Sequence, residues 1–449
     1  MNKKKWGLLL LAALFIFGYI KLFYKTYSEK AVAQSADCVV AIDVKRITNT
    51  LIWGFITTPS QWKKLSLSPK KSKKISWDDM VELPNYILAF HAHNQPASIW
   101  YSLFTIKDKT DFEKGMSQFG FEKNAEGTYL QKANGLYLSI YNDKVLLAKA
   151  TEQDKNYIDA VAAELFTKKT FIARSELNKA IKASSHVSVY LAPNTLMQKE
   201  VIIKANFDKQ KIEINAGFTP RSGYDFTEYN FKYPSGSLCT IGFTQPVPAV
   251  YNLIDTAYRK KISAALNIAA DSLFKKDNKW YWLNLAEIKT RADSAVTYTY
   301  DDEFNKIETT TVNNIQEPSF SFVVTGNNPN SFYDYLLHNN KLETTAKGAL
   351  FLPMPFVKSY CTKTNDNQID ITAANYKGTT TNQSIHAIFF LNLLLDKIPA
   401  NLKNYLPDNM KDVVSNIKSL NVSVTKSKGQ VILNCIVQKL QDDLPLFNF

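Results

Sequence analysis

A lysine triplet, Lys3-Lys4-Lys5, stands just before an unbroken apolar run from Trp6 to Ile20, and Leu22-Phe23-Tyr24 carries the run past Lys21. No other segment constrains the fold as much, because a helix this apolar must be hidden from water along its length. Written as a helix, Trp6 to Tyr24 spans about 28 Å, close to the hydrocarbon thickness of a bilayer. Lys21 can snorkel from the last turn, and Trp6, Tyr19 and Tyr24 suit the interface. The rival reading is a cleaved signal peptide ending at Ala31-Val32-Ala33. That triplet lies well beyond the run, behind Lys21, Lys25, Glu29 and Lys30, whereas cleavage sites follow the apolar segment closely. A lipoprotein site fails because Asp37 precedes Cys38. Residues 1–30 therefore read as a cytoplasmic stub and an uncleaved transmembrane signal anchor. The expected location is the inner (cytoplasmic) membrane, single-pass, with an extracytoplasmic, periplasmic C-terminal body in the cell envelope.

The net charge of +13 is unevenly spread. Residues 1–30 hold +5, and Lys63, Lys64, Lys70, Lys71, Lys73 and Lys74 supply another +6, so the rest is nearly neutral. The basic total therefore does not point to nucleic acid. Tyr, Phe, Thr, Val and Ile are frequent enough to favour much sheet and to fill large cores. The four cysteines (Cys38, Cys239, Cys361, Cys435) are far apart, with no CxxC or metal-ligand spacing. Two disulfides are open to them, but small buried hydrophobes in strands is the plainer reading.

Past the anchor, strands alternate with short helices, and landmarks recur 200 to 220 residues apart. Asp37-Cys38-Val39-Val40 opens one half and Leu238-Cys239-Thr240-Ile241 the other. Trp100–Ile106 followed by Thr110-Asp111-Phe112 is echoed by Phe320–Val324 followed by Asn330-Ser331-Phe332. His186 and His386 each open an apolar strand, and Ile202–Phe218 resembles Leu420–Val437. The second half has gained about twenty residues, placed in a hairpin-like stretch from Val296 to Val312 turning near Asp301-Asp302-Glu303. The expected fold is α+β: an N-terminal transmembrane helix, then two similar α+β repeats with mainly antiparallel sheets, 31–219 and 237–449, joined by a Tyr-, Pro- and Gly-rich stretch.

These landmarks, with the anchor and the hairpin end Asn142-Asp143-Lys144-Val145, resemble bacterial envelope proteins that carry one N-terminal membrane helix and a large duplicated α+β body. The resemblance spans the whole chain. It implies architecture and location, and no activity, cofactor or site residue.

Chemistry-bearing motifs are scarce: no P-loop, GxGxxG, GxSxG, HExxH or EF-hand loop occurs. His91 and His93, two apart in a strand, share a face and could meet one metal ion. No further ligand follows at a recognisable spacing, so the pair reads first as two histidines on a sheet face. The acidic pairs Asp78-Asp79, Asp301-Asp302 and Asp442-Asp443 read as solvated turns. The segment from Trp62 to Trp77, with its six lysines, is a charged loop that could bind an anionic surface through Lys and Trp.

The expectation is a membrane-anchored binding or scaffold protein without a cofactor. Its partner would be an anionic lipid, an envelope polymer or another envelope protein. The balance weighs against an enzyme. The alternatives are a lipid or hydrophobic-ligand carrier with a groove between the repeats, and a metal-assisted hydrolase using His91 and His93.

Overall fold

Within residues 36–43 (ADCVVAID), positions from Cys38 onward alternate between half-exposed and buried, with Val39, Ala41 and Asp43 turned to one side. That period of two suits a strand with one face on a core. The computed structural model of the protein describes residues 25–57, 75–244 and 256–440. Residues 125–126, 209, 225, 275–277, 328, 347, 355–356, 379, 381–382, 404–410 and 412–413 within these spans are left out. The chain divides into two compact units, one ending at Phe218 and the other beginning at Thr219.

In the first unit the strands are β1 (Ala36–Asp43), β2 (Tyr86–Ala92), β3 (Trp100–Thr105), β4 (Glu122–Lys123), β5 (Tyr129–Gln131), β6 (Leu136–Tyr141), β7 (Lys144–Lys149), β8 (Val187–Leu191), β9 (Val201–Phe207) and β10 (Lys211–Phe218). They pair antiparallel in the order β10-β9-β8-β1-β2-β3-β7-β6-β5-β4. Helix Lys109–Gln118 is capped by Asp108, whose side chain accepts from Asp111 N at 2.8 Å. It turns Phe112 and Met116 into the core, both fully buried. The Ala31-Val32-Ala33 triplet is core as well, tied to the chain at Phe171 and Ile172.

The second unit holds β11 (Tyr229–Tyr233), β12 (Cys239–Thr244), β13 (Asn278–Tyr300), β14 (Lys306–Gly326), β15 (Leu342–Thr345), β16 (Gly348–Phe351), β17 (Ser359–Asn365), β18 (Gln368–Ala373), β19 (Gln383–Ala387), β20 (Phe389–Leu394), β21 (Ile417–Ser427) and β22 (Gln430–Lys439). Its main order is β22-β21-β20-β12-β13-β14-β18-β17-β16-β15, again antiparallel. Strands β11 and β19 form a separate pair. Gly242 on β12 lets the Phe231 and Phe390 rings close over the backbone, where a Cβ would collide with both.

The two pairing orders correspond strand for strand. Cys38 lies opposite His91 and Leu191; Cys239 lies opposite Leu285 and Leu393. Backbone bonds recur at matched points: Ala192 N to Asp37 O and Leu394 N to Leu238 O are both 2.8 Å. Helix Asn330–His338 buries Phe332 and Leu336 where the first unit buries Phe112 and Met116. By this register the counterpart of His186 is Ile388, because Asp43 N bonds His186 O and Thr244 N bonds Ile388 O. His386 lies elsewhere, on β19 opposite Asn230.

The expected fold class needs correction. The described structure is mostly antiparallel sheet, 48% strand and 23% helix, in place of a transmembrane helix followed by α+β repeats. Its longest described helix, Val44–Thr57, has 14 residues. At 1.5 Å per residue it reaches about 21 Å, short of the roughly 30 Å hydrocarbon layer. Among the described residues no helix is long and apolar enough to cross a membrane. The proposed span Trp6–Tyr24 lies outside the described residues. The membrane, signal-anchor and transmembrane-helix assignments, and the single-pass inner-membrane location built on them, are therefore not supported.

Candidate functional site

Asp37 sits near the start of strand β1, at the register shift between Ala36 and Cys38, and His91 near the end of β2 pairs with Cys38. His93 follows on the same side, its backbone N bonded to Ser35 O at 2.8 Å. The alternation that puts His91 and His93 on one face thus delivers both rings to one carboxylate. Asp37 Oδ1 lies 2.7 Å from His91 Nδ1, and Oδ2 lies 3.5 Å from His93 Nδ1. Above them opens a cleft of about 450 Å³ walled by Trp100, Leu191 and Pro193.

This trio is poorly suited to holding a metal. His91 Nε2 faces the carbonyls of Gln95 and Pro96 at 3.2 and 3.3 Å. Both ring nitrogens of His91 therefore face oxygen atoms at hydrogen-bond distance, and the ring is held from both sides. Among the described residues no group of three His, Cys, Asp or Glu is placed to hold one. Cys38 lines the same cleft, but burial, helped by the charge of Asp37, pushes its thiol up to about 11. A thiol so far above neutrality is a poor nucleophile. Cys239 stands at about 11 and Cys361 at about 12 for the same reason, burial, and all four cysteines are free.

The second unit opens a cleft at the matching place, about 600 Å³ in volume, lined by Leu238, Glu287 and Lys397 among others. There the positions of Asp37, His91 and His93 are held by Leu238, Leu285 and Glu287. The second unit thus closes the matching place in its sheet with two leucines instead of a carboxylate–imidazole pair.

A larger difference separates the units at the next connection. In the first, β2 reaches β3 through residues 93–99; in the second, β13 and β14 run on together as a two-stranded arm. Strand β12 pairs with β13 only to Leu285, and β18 pairs with β14 only from Ser321. Beyond those points β13 and β14 pair only with each other among the described residues, out to Tyr300 opposite Lys306. At about 3.3 Å per residue, Glu287 to Tyr300 reaches some 45 Å. Val296, Tyr298, Tyr300 and Val312 lie on one face of it, 46%, 51%, 65% and 62% exposed. Lys306 Nζ sits 3.6 Å from the centre of the Tyr298 ring.

The arm turns where the sequence placed the turn, and its tip is held by Asp301. Its carboxylate accepts from Glu303 N at 3.0 Å and Asn305 N at 2.7 Å, and these bonds, the Asn305 ones foremost, lower its pKa. The geometry puts Phe304 at φ 61°, a left-handed conformation that costs an L-residue roughly 1–2 kcal/mol. Glycine or asparagine ordinarily fills such a position. Here a phenylalanine does, and its ring is 86% exposed.

The remaining candidates resolve into structural roles. His186 is buried: Phe207 N donates to Nδ1 at 3.2 Å and Nε2 lies 2.8 Å from Thr50 Oγ1. Desolvation, with Arg46 nearby, lowers its pKa. His386 is exposed beside Glu228 at 3.1 Å. Asp79 caps the short helix Trp77–Met80 through Ser76 N and Oγ. Trp77 packs edge-on against Phe104 and Phe119, so its ring serves the first unit's core. Trp62, Lys63, Lys64, Lys70, Lys71, Lys73 and Lys74, and the pair Asp442-Asp443, lie outside the described residues.

No family model matches the chain, and no curated protein matches it. A solved structure titled "Structure of crystal form III of TP0453" matches at 10% identity over 54% of this chain and 87% of its own. Its TM-score is 0.27, too low to bear on fold or function.

Proposed function

We propose that the protein is a non-catalytic binding or scaffold protein that docks onto a protein partner through the β13–β14 arm. The carrying observation is Phe304: a bulky ring kept in a left-handed conformation, 86% exposed, at the tip of an arm the sister unit lacks. The turn needs a left-handed residue here, and a bulky ring where glycine or asparagine would sit without penalty is the kind of strain that clusters at functional positions. The apolar stripe of Val296, Tyr298, Tyr300 and Val312 extends the contact surface, and aromatic anchors of this kind dominate protein interfaces.

A bilayer is a poorer occupant of the tip, because Asp301, Asp302 and Glu303 precede Phe304 and would have to be desolvated or repelled by anionic headgroups. The carrier reading has less support, since the large aromatics Tyr101, Phe90, Phe112, Tyr281 and Phe332 are spent inside closed cores. The hydrolase reading has less support, since both ring nitrogens of His91 are already engaged, by Asp37 on one side and by the Gln95 carbonyl on the other. The test is a photo-crosslinking side chain in place of Val312, irradiated in cells. A discrete protein adduct that Phe304→Asp removes is the expected result. Adducts confined to lipid, or none, overturn the proposal.

A further inference from the structure

The β13–β14 arm offers its backbone as well as its side chains. From Glu287 opposite Ser319 to Tyr300 opposite Lys306 the two strands pair without a break in register, and among the described residues nothing pairs with their outer edges. Edges left open in this way are ordinarily guarded by proline, bulges or free lysines. Residues 287–317 contain neither proline nor glycine, and valine, threonine and tyrosine recur along them. Their three bases are already taken: Lys289 pairs with Glu287 at 2.8 Å, Arg291 lies 3.5 Å from Glu317, and Lys306 sits over the Tyr298 ring. A row of alternating N–H and C=O groups is matched in full only by another extended backbone.

Two observations select the edge and its occupant. Strand β12 begins at Cys239, and just before it Leu238 N donates to Ala286 O at 3.0 Å. Beyond that bond Ala286, Glu287 and Ile288 of β13 wall the cleft of about 600 Å³, together with Ser237 and Thr380. Ser237 is buried, and its hydroxyl has no hydrogen-bond partner among the described residues. The open edge of β13 therefore starts at a cleft and continues the line of β12. The arm also carries seven acids against its three bases, a net of −4, and Asp293, Asp301, Asp302, Glu303 and Glu308 lie in its outer half. An incoming strand that bears lysine or arginine meets opposite charge there, whereas the arm of a second copy meets its own sign. We infer that the open edge of β13 takes up a basic, extended segment of a partner protein as an added strand, with one end of that segment in the cleft at the arm's base. This rests on the reading of the arm as a protein-docking element and supplies its mode of docking. A third strand also relieves a ribbon that is marginal as a pair in water.

The experiment is amide hydrogen exchange on the purified full chain with a synthetic peptide of alternating lysine and valine, about ten residues long, because main-chain bonds carry the affinity of an added strand. A peptide of alternating glutamate and valine is the control, and the Val312 crosslinker is run in parallel. The lysine peptide should slow the β13 amides from Ile288 to Tyr300 about tenfold or more, and the glutamate peptide should leave them unchanged. Asp293→Lys with Glu308→Lys should remove most of that slowing, as should salt at about 1 M, where the Debye length falls to about 3 Å. Exchange of the variant without peptide shows that its ribbon is still formed. A Val312 protein adduct that Phe304→Asp removes, with β13 exchange untouched by the lysine peptide, overturns the added strand and leaves the docking role standing. Slowing confined to β14, or equal slowing by both peptides, overturns the inference in its edge or its charge. A Val312 adduct to a second copy of this chain overturns it as well. No slowing and no adduct overturn both readings.

Discussion

Replacing Phe304 with glycine should make the arm more rigid and the protein a worse binder. At φ 61° the phenylalanine carries a left-handed penalty of roughly 1–2 kcal/mol. Glycine removes it but brings about 0.5–1 kcal/mol of extra chain entropy in the open state. At the middle of both ranges the net gain is about 0.75 kcal/mol, confined to the hairpin, since among the described residues nothing beyond Leu285 and Ser321 pairs it to the sheet. A hairpin opening independently of the body reports in local hydrogen exchange and not in Tm. Arm amides from Ser294 to Val312 should therefore exchange about two- to fivefold more slowly, while Tm stays put. Docking loses the burial of one phenylalanine, about 1.5–3 kcal/mol, or about ten- to a hundredfold in Kd. Faster or unchanged exchange would refute the strain argument. Slower exchange with undiminished association would show that the ring is not a contact, and the docking role of the tip would fall with it.

Three further outcomes follow from the first unit and the thiols. Asp37→Leu alone leaves His91 Nδ1 without its carboxylate and should cost about 1–3 kcal/mol in urea unfolding, whereas Asp37→Leu with His91→Leu, the sister unit's pair, should restore most of it; a double variant no better than the single one argues against the comparison. His186 has a pKa held below its ordinary 6.5, so the unfolded chain takes up the proton first. Its contribution is present above about 6.5 and is lost as pH falls through the depressed folded value, so His186→Gln should flatten the acid limb of a Tm-against-pH curve. Cys38 and Cys239, at about 11, and Cys361, at about 12, should alkylate at pH 8 at least tenfold more slowly in the folded chain than in urea; equal rates would mean the thiols are open to solvent.

What could be read from sequence was what depends on neighbours along the chain. Alternation placed His91 and His93 on one face, and Asp301-Asp302-Glu303 marked a turn because a short acidic side chain can bond the backbone two and four residues on. Phe112 and Phe332 could be matched because each follows a strand by a similar step and fills a helix's inner face. Asp37 was missed as the partner of His91, although an acid opening the strand that must pair with β2 was a usable signal. The two are 54 residues apart, and only the β1–β2 register joins them. The pairing of His186 with His386 failed for the opposite reason. Two similar apolar strand openings look alike in sequence, while the ladder assigns Ile388 to the site and sends His386 to β19.

By itself the sequence determined the period-two strands, the placing of the cysteines within strands and the position of the hairpin turn, because each follows from side-chain size, polarity and spacing within a few residues. Tertiary structure alone decided which strand pairs with which in the two sheets, and that one carboxylate gathers two imidazoles. It alone decided, too, that a phenylalanine ends up in a left-handed turn at the tip of an arm whose two strands, among the described residues, pair only with each other. Those outcomes depend on which strand lies beside which, and pairing between distant segments is set by the burial of whole faces, which no short stretch of chain records.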